Sequence, residues 1–361
     1  MIKIGITHGD INGTGYELIL KAFAAEELLS LCTPVIYGSP KAAIFHRKTL
    51  ENQTNFIVRN NINEVRDQSV NMINCFGEEE LKIEFGHQSE ANQDIAKRSL
   101  DCALADLHAG SIDALVALPC TIEGWHSQFG YISQQYNNTT VLPLLVSDNL
   151  CVASATNFIP VAGIPRKITT QLLTDRLTSL RSTLQRDFSI ESPRIAVLSL
   201  NPIDSAGVFA GSEEADVIQP LVQQLFDKGS LCFGPYTSDR IFGQREFEHF
   251  DAILAMYSDQ ASTSFHTLTQ GEGYRFLSGL PHVITSPIHD AQLEIAGKDI
   301  ASPQSFLNAL YSAIDRVRRR RQFDSARANP LQKQFYDRRD DSDKLRLDQV
   351  QNDDEPEVSL V

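Results

Sequence analysis

The chain has 361 residues, 42% hydrophobic and 22% charged, which is enough to bury a substantial core and suits roughly two domains of about 150 residues each. Its net charge is −14, and eleven Lys/Arg against ten Asp/Glu from residue 316 onward leave the acidity in the body, so a general nucleic-acid binder is excluded. No apolar run is long enough to span a bilayer, and the opening MIKIGITHGD lacks the charged start and apolar stretch of a signal peptide, so the chain is expected in the cytoplasm with no membrane partner.

In chain order, short β-branched runs alternate with segments of helical period. Strand Ile2–Thr7 is followed by helix Tyr16–Ala25, strand Pro34–Tyr37, helix Asn92–Ala109 and strand Ala114–Ala117. Then come strand Cys151–Ala155, helix Thr169–Phe188, strand Arg194–Leu198, helix Ser212–Lys228, strands Ala252–Ala255 and His282–Thr285, and helix Ser302–Arg321. Helix Thr169–Phe188 places Leu172, Leu173, Leu177, Leu180 and Leu184 on one stripe, as a core-facing helix does. Such alternation predicts an α/β fold on a central, mostly parallel sheet, with ligands at the carboxyl ends of the strands. Beyond about Asn329 the chain is rich in charge and poor in apolar residues, which predicts a partly disordered tail over 330–361.

The six cysteines, Cys32, Cys75, Cys102, Cys120, Cys151 and Cys232, are scattered without a C-x-x-C, as expected of reduced thiols. The basic run Arg316-Val-Arg318-Arg319-Arg320-Arg321 reads as the solvated last turns of a C-terminal helix, where cations suit the helix dipole. Glu213 and Glu214 read as the acidic first turn of another helix.

Candidate chemistry sits in the loops that follow strands. Gly9-Asp10-Ile11-Asn12-Gly13-Thr14-Gly15 lies between a strand and a helix, where glycines allow a tight turn and free amides attract anions, although it has neither dinucleotide nor P-loop spacing. Asn201-Pro202-Ile203-Asp204, Ala255-Met256-Tyr257-Ser258-Asp259-Gln260, Gly279-Leu280-Pro281 and Thr285-Ser286-Pro287-Ile288-His289-Asp290 occupy equivalent places. Cys120 is expected to be a buried inert thiol, because a nucleophile needs a base and the nearest histidine in sequence is His126. His282 and His289 are not expected to form a metal pair.

In order and spacing these segments resemble the PdxA family, the NAD-dependent 4-hydroxythreonine-4-phosphate dehydrogenases of pyridoxal phosphate biosynthesis. GITHGDINGTGYE resembles the family's G-D-P-A-G-I-G-P-E, SLNPIDSAG its L-N-P-H-A-G-E-G, and AMYSDQ its A-M-Y-H-D-Q. GLPHVITSPIHDAQLEIAG resembles G-L-P-x-x-R-T-S-x-D-H-G-T-A-x-x-x-A-G, and the match runs from residue 2 to about residue 321. The resemblance implies two α/β/α domains related to isocitrate and isopropylmalate dehydrogenases: residues 1–140 with 262–321, and residues 141–261, with a cleft between them. It also implies a homodimer whose chains complete each other's sites. The family oxidises a secondary alcohol with NAD and then loses carbon dioxide, while a divalent metal on three histidines polarises the oxygen.

Position by position, that equipment is replaced. The three histidines correspond to Asn157, Ile203 and Ser258, so a divalent metal is not expected. The family's substrate-side lysines correspond to Ile122 and His266, its asparagine before G-L-P to Arg275 and its arginine after it to Ile284. The family's G-H-T-E segment has no counterpart between Phe129 and Val141. D-H-G-T-A reads Ile288-His289-Asp290-Ala291-Gln292, which keeps the histidine but adds a carboxylate that repels phosphates. The resemblance therefore leaves Asp10, Gly13, Gly15 and His289 as residues for NAD, and His266 and Arg275 as residues for substrate. The turn glycines and strand cores stand while the chemical side chains do not. That pattern predicts a catalytically inactive or repurposed homologue, either a homodimer or the partner of an intact homologue in a heterodimer. The competing expectation is a metal-independent NAD-dependent oxidoreductase.

Overall fold

The computed structural model describes residues 1–77, 81–137 and 141–328, so the expected tail over 330–361 lies outside the described residues. Met1–Phe323 form one compact unit and Asp324–Val361 a second. The elements are β1 (Lys3–Thr7), α1 (Gly15–Ala22), β2 (Thr33–Gly38), α2 (Pro40–Thr49), β3 (Ile57–Arg59), β4 (Asn71–Asn74) and α3 (Glu90–His108). There follow β5 (Ala114–Val116), α4 (Gln128–Gln135), β6 (Leu142–Ser147), β7 (Leu150–Thr156), α5 (Ile164–Lys167), α6 (Thr170–Arg186) and β8 (Ile195–Leu198). The last are α7 (Gln219–Asp227), β9 (Cys232–Tyr236), β10 (Ala252–Tyr257), α8 (Ser258–Thr269), β11 (Tyr274–Ser278), β12 (Val283–Pro287) and α9 (Gln304–Ala328).

All twelve strands join one sheet in the order β3-β4-β2-β1-β5-β12-β11-β6-β7-β10-β8-β9. Every pairing is parallel except those of β11 with β12 and β6, and of β6 with β7. An antiparallel middle thus joins two parallel wings, which confirms the α/β class with a mostly parallel sheet. Side chains alternate across each strand, so the sheet has two distinct faces. On one face a single core runs the length of the sheet: Ile4, Ile6, Val116, Leu144, Ala153 and Phe276 meet residues of α1, α6 and α9. On the other face the core is split. Val35, Tyr37, Leu115 and Ile284 pack with α3 and α4, while Val152, Ala196, Ile253 and Ala255 pack with α8. Between these two clusters the sheet is left uncovered, and the cavity described below lies there.

Leu173, Leu177, Leu180 and Leu184 are buried along α6 as the stripe predicts, each stabilising the fold by roughly 1.5–3 kcal/mol, and Thr169 caps the helix through the amide of Leu172. The basic run is not simply solvated. Arg316 and Arg320 are 9% and 7% exposed. Arg320 pairs with buried Asp187, and Arg316 donates to the Asp187 carbonyl at 2.9 Å while its guanidinium lies 3.7 Å from the Phe188 ring centre. Arg319 and Arg321 reach the Phe188 carbonyl and Asp113. The run is a clamp because the body supplies acceptors for it, and removing one partner of such a buried pair costs about 3–5 kcal/mol.

Glu214 opens a helical turn as expected, and its carboxylate does more than face the helix dipole. It is 1% exposed, its Oε1 accepts the amides of Leu200 and Asn201 at 2.7 and 2.8 Å, and its Oε2 accepts Asn201 Nδ2 at 3.0 Å. It begins a π-helical turn, Glu214–Ile218, ahead of α7. The carboxylate fixes the Asn201-Pro202 corner.

Candidate functional site

The uncovered middle of the sheet floors a cavity of about 540 Å³. Pro143 and Leu145 of β6, Ser154 of β7 and Arg275 of β11 form its floor, because these positions alternate with the inward-facing Leu144, Ala153 and Phe276. Trp125 and Phe129 wall one side, and Ser258 and Ser262 at the start of α8 wall the other. Asn157 and Phe158, just beyond β7, form the rim. The Phe158 ring stacks on His126 with centres 4.0 Å apart and planes 22° from parallel.

Two of the three positions matched to the metal histidines, Asn157 and Ser258, reach this cavity. Asn157 Oδ1 accepts a hydrogen bond from Ser154 Oγ at 2.6 Å, so its one oxygen donor is already engaged. Ile203 is 43% exposed and has no donor atom. An engaged amide, an alkyl chain and a neutral hydroxyl do not fit a divalent transition metal. Among the described residues no group of three His, Cys, Asp or Glu is placed to hold a metal ion. Ile122 and Ile284, which stand for the family's lysine and arginine, are 2% and 0% exposed and belong to the core with α3 and α4. These replacements have become packing residues.

Arg275 lines the cavity. Its Nη1 donates to the carbonyls of Pro287 and His289 at 3.1 and 3.2 Å, and its guanidinium lies 6.0 Å from the Phe129 ring centre. No carboxylate pairs with it among the described residues, and burial holds its pKa down to about 10 against the opposing pull of Asp290. His266, on α8, feels the Arg275 charge: burial first and that charge second lower its pKa. It does not line the cavity.

The residues assigned to NAD meet at one junction beside this site. Asp10 is 4% exposed and takes the Asn12 amide on Oδ1 at 2.9 Å, and burial raises its pKa. A Cβ on Gly15 would overlap the His8 carbonyl, and one on Gly13 would meet the Ala291 carbonyl, so both glycines are required by close backbone approach. Two of the turn's amides are already used: Gly13 N donates to Asp10 O and Thr14 N to Ala291 O, both at 3.1 Å. His289 Nδ1 lies 2.7 Å from the Asp290 carbonyl, its Nε2 is buried without a partner, and burial lowers its pKa. The chain from Arg275 through the His289–Ala291 loop to Gly13 is continuous. Protein carbonyls thus take up two of the amides that an anion at this turn would use.

Cys120 donates to Gln128 Oε1 at 3.2 Å and burial pushes its thiol up to about 12, as an inert thiol requires. His282 Nδ1 lies 2.9 Å from the Tyr136 hydroxyl, and the His282 ring is 5.5 Å from that of His108, so it serves packing. Sequence reasoning missed the aromatic wall of Trp125, Phe129 and Phe158, Ser154 on the floor and Ser262 on the wall. The one available signal was strand alternation in Leu142–Ser147, which leaves Pro143 and Leu145 facing away from the core.

A mixed sheet with helices on both faces and a cavity over its middle defines a two-winged α/β protein. The profile described as "Pyridoxal phosphate biosynthetic protein PdxA" matches residues 30–313. The chain is 43% identical to a 4-hydroxythreonine-4-phosphate dehydrogenase of Bacteroides thetaiotaomicron, over 98% of this chain and 99% of that protein. It is 31% identical to one of Sulfurihydrogenibium sp., over 87% and 98%. The crystal structure of a 4-hydroxythreonine-4-phosphate dehydrogenase from Burkholderia phymatum superposes with a TM-score of 0.72 at 27% identity, covering 88% of this chain and 98% of that one. This chain belongs to the PdxA family.

Proposed function

We propose that this PdxA-family protein does not carry out the metal-dependent dehydrogenation for which its relatives are named, and that it keeps the family fold as a ligand-binding scaffold. The observation that carries this reading is the donor set where the family's metal would sit: Asn157 engaged by Ser154, Ile203 without a donor, and Ser258. Relatives named as dehydrogenases need a hydride acceptor. Here the closure of Gly13 and Thr14 onto Asp10 and Ala291 argues against NAD at that turn. The protein is then a cytoplasmic homodimer, in keeping with the family resemblance, and co-purification with an intact homologue would replace the homodimer by a heterodimer.

The test is an assay with NAD, divalent metal ions and 4-hydroxythreonine 4-phosphate. The expected rate is the background rate, and robust turnover overturns the reading. A zinc titration gives a second readout. The native chain is expected to show no stoichiometric binding, and one bound zinc per chain overturns the reading.

A further inference from the structure

Four cavities among the described residues, of about 730, 540, 370 and 350 Å³, are large enough for a small molecule. Those of about 730, 370 and 350 Å³ are each lined by carboxylates: Asp148, Glu248 and Asp251 in the first, Asp148, Glu272 and Asp315 in the second, and Asp187 in the third. The cavity over β6, β7 and β11 differs. Its volume of about 540 Å³ falls in the range of small-molecule sites, roughly 300–1,000 Å³. Among the described residues no carboxylate lines it, and its one fixed charge is Arg275. Three aromatic rings, Trp125, Phe129 and Phe158, stand around that charge.

We infer that this cavity binds an aromatic monocarboxylate, with the carboxylate on Arg275 and the ring among Trp125, Phe129 and Phe158. The inference rests on the reading of the cavity as a binding site free of metal chemistry. Charge count sets the head group. One guanidinium balances one negative charge, and a phosphate dianion would remain uncompensated in a site with no second fixed cation. Geometry agrees: Nη1 is spent on two backbone carbonyls, so the Nε–Nη2 edge remains, and that edge matches the two oxygens of a planar carboxylate.

The walls set the body of the ligand. Aromatic side chains give offset and edge-on surfaces that a flat ring fills better than a flexible chain does. The hydroxyls of Ser154, Ser258 and Ser262 leave room for one polar substituent. Phe158 adds a further sign. It is 71% exposed and held at φ 35°, a left-handed conformation costly for a bulky residue at about 1–3 kcal/mol. Its ring nevertheless stacks on His126 at the cavity mouth. Backbone strain that sets an exposed ring at a mouth is what a ligand clamp requires.

Trp125 is the chain's only tryptophan, so its fluorescence reports this cavity directly. Benzoate is the probe, with benzamide as its neutral counterpart and inorganic phosphate as the charge control. Benzoate is expected to change Trp125 emission saturably and to bind at least about tenfold more tightly than benzamide, the worth of one charge-assisted contact. Phosphate is expected to leave the emission unchanged. Arg275→Met should lose the preference for benzoate over benzamide. Ser262→Leu, which fills the cavity from α8 and leaves Arg275 in place, should abolish the response altogether. Equal binding of benzoate and benzamide, a response to phosphate, or no saturable signal and no heat in calorimetry would each overturn the inference. Turnover of 4-hydroxythreonine 4-phosphate is measured separately. Background turnover with no benzoate binding removes this inference alone, whereas robust turnover removes the reading beneath it.

Discussion

His8 is fully buried, its ring stacked on Tyr16 with centres 5.3 Å apart, and neither ring nitrogen has a hydrogen-bond partner. An imidazole survives there only uncharged. Burial first, and nearby His46 second, hold its pKa down to about 3 from an ordinary 6.5. The unfolded chain therefore takes up this proton before the folded one does. The stabilising contribution is complete above pH 6.5 and is lost as the pH falls from there toward 3. His46, held down to about 4 by burial, acts in the same direction. His8→Leu is expected to move the acid-unfolding midpoint, followed by circular dichroism, to lower pH. An unchanged midpoint would assign acid lability elsewhere. Nothing in the sequence THGD distinguished this histidine from a ligand at a strand end. What decides it is the ring packed over it from α1, which sequence spacing does not report.

At the level of elements, the runs that could be read were those whose own side chains settle the matter. β1, β2, β5, β7, β8, β10 and β12 each contain an apolar run that is buried over most of its length, and each was predicted within one or two residues. β6 and β11 were not, because one side of each faces the cavity and carries Pro143 and Arg275 in place of apolar residues. α8 was read as loop at its start, since Tyr257 at its N-cap makes no side-chain capping bond that would mark a helix. Glu214 shows the same limit. Its partners lie thirteen and fourteen residues upstream, so only the fold reveals that it holds the corner after β8. Glu214→Ala leaves two amides without acceptors and should cost ~1–3 kcal/mol for each. Hydrogen exchange at Leu200 and Asn201 is expected to accelerate well beyond the change at β8. Exchange that stays slow at both amides would show that the corner is held without the carboxylate.

For the whole molecule, the family resemblance located the loops at the strand ends. The cavity itself was hidden, because it arises from a gap between two separate cores on one face of the sheet. No local pattern encodes a gap. The opposite face has no such break: one buried cluster extends from Ile2 to Val317 and includes residues from both wings. With a shared core and an unbroken sheet, the two wings cannot lose their packing independently. Scanning calorimetry of the full chain is expected to show one cooperative transition whose calorimetric and van't Hoff enthalpies agree. Two resolved transitions would show that the wings are energetically separate.

The arginine clamp of α9 has a consequence for how the protein comes to be made. Asp187 and the corner at Pro281 leave the ribosome before Arg320, the residue that satisfies them both, has been added. Until synthesis reaches that helix, Asp187 lacks its arginine partner and the core that α9 shares with α1 and α6 is incomplete. The core therefore reaches its full extent only once α9 has been added.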